Sequence, residues 1–199
     1  MRKTLLAAAC VALLAGCSQS VEEAKTEAAA APVAPPVVPP DPSFTGFTRP
    51  EGDAQFGYYL PVKEVKVGDY RLDNLHIAGQ KGFGDWESGL RTKTYAPVML
   101  EFVDVTSPSR INALGHTVYS VMLKVLPTAY LVTDDHVRLV GSHPKLGEVR
   151  LDAKIDPAML KKSKSTRGKN GETVAAGALQ VGDTPFADLA FTWRGGDWG

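Results

Sequence analysis

The sequence predicts an all-β domain: an antiparallel sandwich or barrel of about eight strands with one short helix near 157–165, behind a disordered Pro/Ala-rich tether. Three observations carry this expectation. Apolar and polar residues alternate with period two along many short runs, turn-forming residues separate those runs, and the first aromatic residue is Phe44.

In chain order the tether comes first. Val21 to Pro42 reads VEEAKTEAAAAPVAPPVVPPDP, with prolines at 32, 35, 36, 39, 40 and 42 and no aromatic residue. Such a segment buries too little apolar surface to fold, and its prolines favour extended polyproline II. At about 3.1 Å per residue where extended, it would hold a domain up to roughly 70 Å from its attachment point. Reading VEEAKTEAAAA as a short helix shortens that reach and leaves the role unchanged.

The rest of the chain, 44–199, reads as a single globular β-domain with no second proline-rich break and no internal repeat. In EVRLDAKID, residues 148–156, Val149, Leu151, Ala153 and Ile155 point one way while Glu148, Arg150, Asp152 and Lys154 point the other. Similar runs span 56–60, 65–78, 97–105, 117–126, 129–133, 137–141, 172–181 and 186–194. Asp134-Asp135 joins two of them, and Asn170-Gly171 is a dipeptide suited to the positive φ of a tight hairpin turn. One segment departs from the pattern. IDPAMLKKSKS places Asp156 as a cap, Pro157 in the first turn where its missing N–H costs nothing, and lysines toward the C-terminal end, which favours positive charge.

Upstream of the tether, Arg2 and Lys3 precede an apolar run from Leu5 to Ala15, and no acidic residue intervenes before Cys17. Residues 1–16 therefore read as a secretory signal, too short to span a membrane as a stable helix. The tetrad Leu14-Ala15-Gly16-Cys17 resembles the lipobox of bacterial lipoproteins. The resemblance covers only about the first twenty residues. It implies that Cys17 carries a diacylglycerol thioether, that the signal is cut before it, and that the new amino terminus is acylated, palmitate being a typical chain. Several acyl chains make residence in the bilayer stable where one is marginal, at about 0.8 kcal/mol per buried methylene. Ser18, in place of an aspartate after the cysteine, points by the same resemblance to the outer membrane, on its periplasmic or surface face.

Cys10 leaves with the signal, so an acylated chain keeps no free thiol, forms no disulfide, and must be stable by its core alone in an oxidising compartment. Loss of Arg2 and Lys3 leaves 20 basic against 22 acidic residues, a net charge of −2. That balance carries no sign of a polyanion-binding protein, and nucleic acid is not an expected partner.

Chemistry is sparse. His76, His116, His136 and His143 have no metal-ligand spacing, so neither a metal nor another cofactor is expected. Ser142-His143-Pro144-Lys145 matches S-x-x-K only formally, because Pro144 and the flanking glycines break the helix that would align serine and lysine. Asp134 with Asp135, and Asp183 with Asp188, are explained by turns. No catalytic residue is assigned. GFGDWESG, residues 82–89, lacks a phosphate-loop pattern and reads as a flexible loop whose Phe83 and Trp86 either tuck beneath it or await a partner. The basic run KKSKSTRGK holds Lys161, Lys162, Lys164, Arg167 and Lys169, a solvated face or a contact for an anionic partner such as lipopolysaccharide, peptidoglycan or an acidic protein surface. Trp193 continues the alternation of Leu189 and Phe191 into the core, while Trp198 lies beyond two glycines.

These readings combine into a membrane-anchored, noncatalytic envelope lipoprotein whose β-domain binds another envelope component. Two alternatives stand beside it: an inhibitor or immunity lipoprotein that guards against a cell-wall hydrolase, and a cell-wall-acting hydrolase whose site has no recognisable motif. A barrel that carries a small hydrophobic ligand is a further option, and requires an unfilled interior.

Overall fold

Period-two alternation with turns between neighbouring runs lets each strand pair with the next, and in this chain the pairing closes into a barrel. The computed structural model describes residues 44–113 and 115–195. Cys17, the tether and Trp198 lie outside them. The strands are β1 (Phe47–Thr48), β2 (Gly57–Pro61), β3 (Lys66–Val67), β4 (Tyr70–Ile77), β5 (Val98–Asp104), β6 (Ser109–Ile111), β7 (Thr117–Tyr119), β8 (Met122–Val132), β9 (His136–His143), β10 (Gly147–Ile155), β11 (Thr173–Val181) and β12 (Thr184–Arg194). Two helices, α1 (Gln80–Glu87) and α2 (Pro157–Ser165), are the helical elements among the described residues. Strands β2, β4, β5, β8, β9, β10, β11 and β12 follow one another around an antiparallel barrel, and β12 pairs back with β2, with Trp193 opposite Tyr59. Closure removes the unpaired edges that an open sheet of these strands would present.

The interior is filled. Tyr59, Leu75, Leu100, Phe102, Tyr130 and Phe191 are each 0% exposed. At eight-strand width these large buried side chains meet along the barrel axis as a packed core. Burying each such side chain stabilises the fold by about 1.5–3 kcal/mol. A carrier needs an unfilled interior, and these side chains leave no space for a ligand.

Of the four bulges in the barrel, three set the orientation of large or polar side chains. In β4, Leu72 lies opposite Phe102 and Asn74 opposite Glu101, so Asp73 is extra; Leu72, Leu75 and Ile77 then point inward while Asn74 and His76 point outward. In β8 a bulge between Pro127 and Ala129 resets the phase so that Tyr130 and Val132 continue the inward face of Leu123 and Val125. The third, in the β11–β12 pair between Gly177 and Leu179, brings Phe186 and Leu189 to bear on the core. Gly177 itself faces Ala153 so closely that a Cβ there would collide with the Asp152 carbonyl oxygen.

The sequence segments map onto these elements with informative differences. The run 65–78 divides into β3 and β4 at Gly68-Asp69, where Gly68 takes φ +56°. The runs at 117–126 and 129–133 become β7 and one eleven-residue strand, β8, that continues through Pro127 by means of its bulge. Asn170-Gly171 lies in the connection from α2 to β11, with Gly171 at φ +62°, and not in a hairpin. The expected helix is α2, where Asp156 accepts from the Ala158 and Met159 amides.

Residues 82–89, expected to be a loop, contain most of α1. Each glycine in a helix costs about 1 kcal/mol relative to alanine, but here tertiary contacts outweigh that cost. Phe83 is 0% and Trp86 5% exposed, and at a three-residue spacing both reach the core. Gly82 is required where Tyr95 Oη and the Ala78 side chain would meet a Cβ. No residue of its own caps the helix; instead Asp53 Oδ1 accepts from the Gln80 amide at 2.6 Å.

The order of strands puts α1, α2 and the 133–135 loop at one end of the barrel, where residues 49–56 tie them together. Arg49 Nη1 donates to Gln80 Oε1 at 2.7 Å, Gln55 Nε2 to the Asp134 carbonyl at 3.3 Å, and Lys164 Nζ to the Asp53 carbonyl at 3.1 Å. The described chain begins on the wall near this end, with Arg138 4.8 Å over the Phe44 ring and β1 running parallel to β8. At the other end Lys145 lies 5.5 Å over the Tyr70 ring, and Leu146 and Val65 are buried. The hairpin β6–β7 belongs to neither wall and forms a separate two-stranded sheet.

Candidate functional site

The outward-facing residues of a barrel wall are ordinarily polar and wet. On the wall formed by β2, β4, β5 and β8 several are buried instead, the apolar Met99 and Val103 and three polar residues: Asn74 and His76 are each 6% exposed and Glu101 8%. The β4 bulge turns Asn74 and His76 outward, and antiparallel register sets Glu101 between Asn74 on one side and Lys124 on the other. Asn74 Nδ2 donates to Glu101 Oε2 at 3.0 Å and to Asp73 Oδ2 at 3.1 Å, while Lys124 Nζ pairs with Glu101 Oε1 at 3.1 Å. Glu101 thus has a partner on each oxygen, which offsets the cost of burying its charge.

Two tyrosines flank His76. The Tyr58 ring centroid lies 5.0 Å and that of Tyr95 5.8 Å from the imidazole. Tyr58 comes from β2, opposite His76 in register, whereas Tyr95 comes from the segment 88–97 that links α1 to β5. The imidazole also hydrogen-bonds the backbone at Ala96, and its Nδ1 is buried with no partner. In the neutral ring one nitrogen donates and the other accepts, and in either role Nδ1 is a buried polar atom left without a partner. Asn74 Oδ1, an acceptor, is a second such atom.

Burial holds the His76 pKa below its ordinary value, and Lys124 adds to that effect, while Glu101 and the Ala96 bond oppose it. Burial likewise raises the Tyr58 and Tyr95 phenols, helped by Glu101 at Tyr58 and by Tyr58 and Asp85 at Tyr95. At neutral pH the site therefore combines a neutral imidazole, two protonated phenols, an amide and a charge-compensated carboxylate. Its chemistry is hydrogen bonding and ring contact.

The residues singled out from sequence are distributed differently. Phe83 and Trp86 line the core side of α1, with Phe83 5.6 Å from the Tyr130 ring, so they plug the barrel and offer no contact face. The basic run divides. Lys162 pairs with Glu172 at 2.5 Å, and Lys164 lies 5.4 Å over Trp193 with burial lowering its pKa. Lys161, Arg167 and Lys169 are exposed. Trp193 is buried as the alternation implies, and its Nε1 donates to the Phe56 carbonyl at 3.0 Å. His136 Nε2 lies 2.6 Å from Asp152 Oδ1, and Arg138 Nε 3.0 Å from Asp152 Oδ2, in an ion-pair group on the wall of β9 and β10. Among the described residues no three His, Cys, Asp or Glu side chains converge as a metal site would require.

The wall cluster was not singled out from sequence, although a trace of it is present. In LDNLHI the apolar positions 72, 75 and 77 break strict alternation, which is how a bulge appears in a strand. Nothing local reveals that Glu101, Lys124 and Tyr95 gather there.

Fold and site together define a class: a side-chain-filled, up-and-down β-barrel that presents its polar groups from the outer wall. Comparison with protein-family models, curated proteins and solved structures finds no match, so function is argued from this chain's own residues.

Proposed function

We propose that this chain is a noncatalytic, membrane-anchored envelope lipoprotein whose β-domain binds another component of the envelope. The observation that carries the reading is the filled barrel. With its interior occupied and both ends covered, recognition falls to the outer surface. That surface offers the wall cluster and the hairpin β6–β7, where Ile111 is 66% exposed, followed by Val121 at 37% and Met122 at 43%. The anchor rests on Leu14-Ala15-Gly16-Cys17. The inhibitor reading gains from the same hairpin: a two-stranded ribbon is marginal by itself in water, and one held to the wall by Arg71, 5.4 Å over Tyr119, suits insertion into a partner's cleft.

The test has two arms. Cells expressing the full chain or its Cys17→Ser variant are fractionated, and the parent is expected in the outer membrane while the variant is released in soluble form. The parent is then cross-linked in intact envelopes beside an Ile111→Asp, Val118→Asp double variant. A specific partner captured by the parent and lost from the variant supports the reading. Equal recovery from the soluble fraction for both Cys17 forms, or a cross-linking pattern unaffected by the hairpin and by wall-cluster substitutions, overturns it.

A further inference from the structure

We propose that the wall cluster is a binding site for a neutral sugar bearing hydroxyl or acetamido donors, the chemistry of an envelope glycan. The inference deepens the binding-module reading and rests on it. Its basis is the unusual state of the site: three polar side chains on the outside of a barrel, each more than nine-tenths buried, with two polar atoms that no protein group satisfies, His76 Nδ1 and the acceptor Asn74 Oδ1.

Unpartnered buried polar atoms are costly and call for hydrogen-bonding groups, and a hydroxyl can both donate and accept. The ligand class follows from the charge around them. Asp73 and Glu101 oppose an anion, and Lys124, already seated on Glu101, opposes a cation. A neutral ligand with O–H or N–H groups meets both conditions. Tyr58 and Tyr95 supply the other half of sugar recognition, flat rings with a polar tip that pack against the C–H face of a pyranose while their hydroxyls remain protonated donors.

Access runs through the segment over His76. Residues 88–94 are all exposed and irregular, and Gly89 takes φ +94°; Arg91 ties the segment to Trp86 and Phe47, while Tyr95 packs beside His76. Lifting Tyr95, whose ring lies 5.8 Å from the imidazole, uncovers His76, and Asn74 lies two positions along the same outward face of β4.

The test is an NMR titration of the purified full chain in detergent micelles with the N-acetylglucosamine trimer, read at the histidine ring resonances. The expected result is a saturable shift of the His76 resonances with His116 unaffected, and a loss of affinity of about tenfold in Tyr95→Ala, the size of one lost neutral hydrogen bond. Asn74→Leu tests the second unpartnered atom; because Tyr95 also packs against the core, Tyr95→Phe, which keeps the ring and removes only the hydroxyl, decides if either variant disturbs the wall. Absence of a saturable shift at millimolar sugar, or unchanged affinity in the Tyr95 variants, overturns the inference. If that happens while the envelope cross-link persists, the sugar inference alone falls and the binding-module reading stands.

Discussion

Truncating Phe83 to alanine removes a ring that is 0% exposed, 5.6 Å from Tyr130, at the centre of the α1 plug. Deleting a buried phenylalanine costs about 3–5 kcal/mol, because the transfer energy of the ring is lost and the cavity only partly collapses. The two glycines of α1 already weaken the helix by about 1 kcal/mol each, so little remains to hold it once the ring is gone. For a domain of this size each kcal/mol moves the midpoint by about 2–4 °C, which gives a fall of roughly 6–20 °C. The assay is a thermal melt of the full chain followed by near-ultraviolet circular dichroism, which reports aromatic packing. A midpoint within about 2 °C of the parent would refute the reasoning, because it would require the ring to sit outside the core. One practical consequence concerns binding experiments: an alanine variant at 83 or 86 alters the fold, so contact-face controls belong on the hairpin or the wall.

Two further outcomes follow from the packing. In the unfolded chain the His76 imidazole titrates near 6.5, and burial lowers that value in the fold, so the unfolded state binds more protons between the two. Stability from this term is fully present above about pH 6.5 and is lost as pH falls below it toward the folded value; His76→Gln should flatten that acid slope in urea melts, and an unchanged slope would refute it. His143 is shifted in the same direction, so the slope is reduced and not abolished. Gly177→Ala should lower the urea midpoint by the equivalent of about 1–3 kcal/mol, since the new Cβ meets the Asp152 carbonyl and Ala153; a midpoint equal to the parent's would show that β11 can move aside.

Much of the barrel was legible in the chain because its signals are local. Alternation along 148–156 specifies β10 and its inward face, since a residue's side in a strand depends only on its neighbours' phase. Asp156-Pro157 specifies the start of α2 for the same reason: the cap and the amides it satisfies lie within three residues. Gly68 and Asp134-Asp135 punctuate the strands where the chain turns. The segment 82–89 misled, because its glycines argue against a helix locally while the forces that make it one are remote. Asp53 caps it from 27 positions away, and Tyr95 and Tyr130 pack against Gly82 and Phe83.

By itself, then, the sequence determined the β character of the chain, the inward face of β10 and the well-capped helix α2. Tertiary structure alone decided between sandwich and barrel, because closure depends on β12 meeting β2 across more than 130 residues. It also decided where the polar chemistry gathers. An added residue at Asp73 rotates Asn74 and His76 from the core to the wall, and only the neighbouring strands bring Glu101 and Lys124 beside them. Alternation is a property of one strand and can be read along it; a site is a property of several strands at once, and its register is set by packing that no single segment encodes.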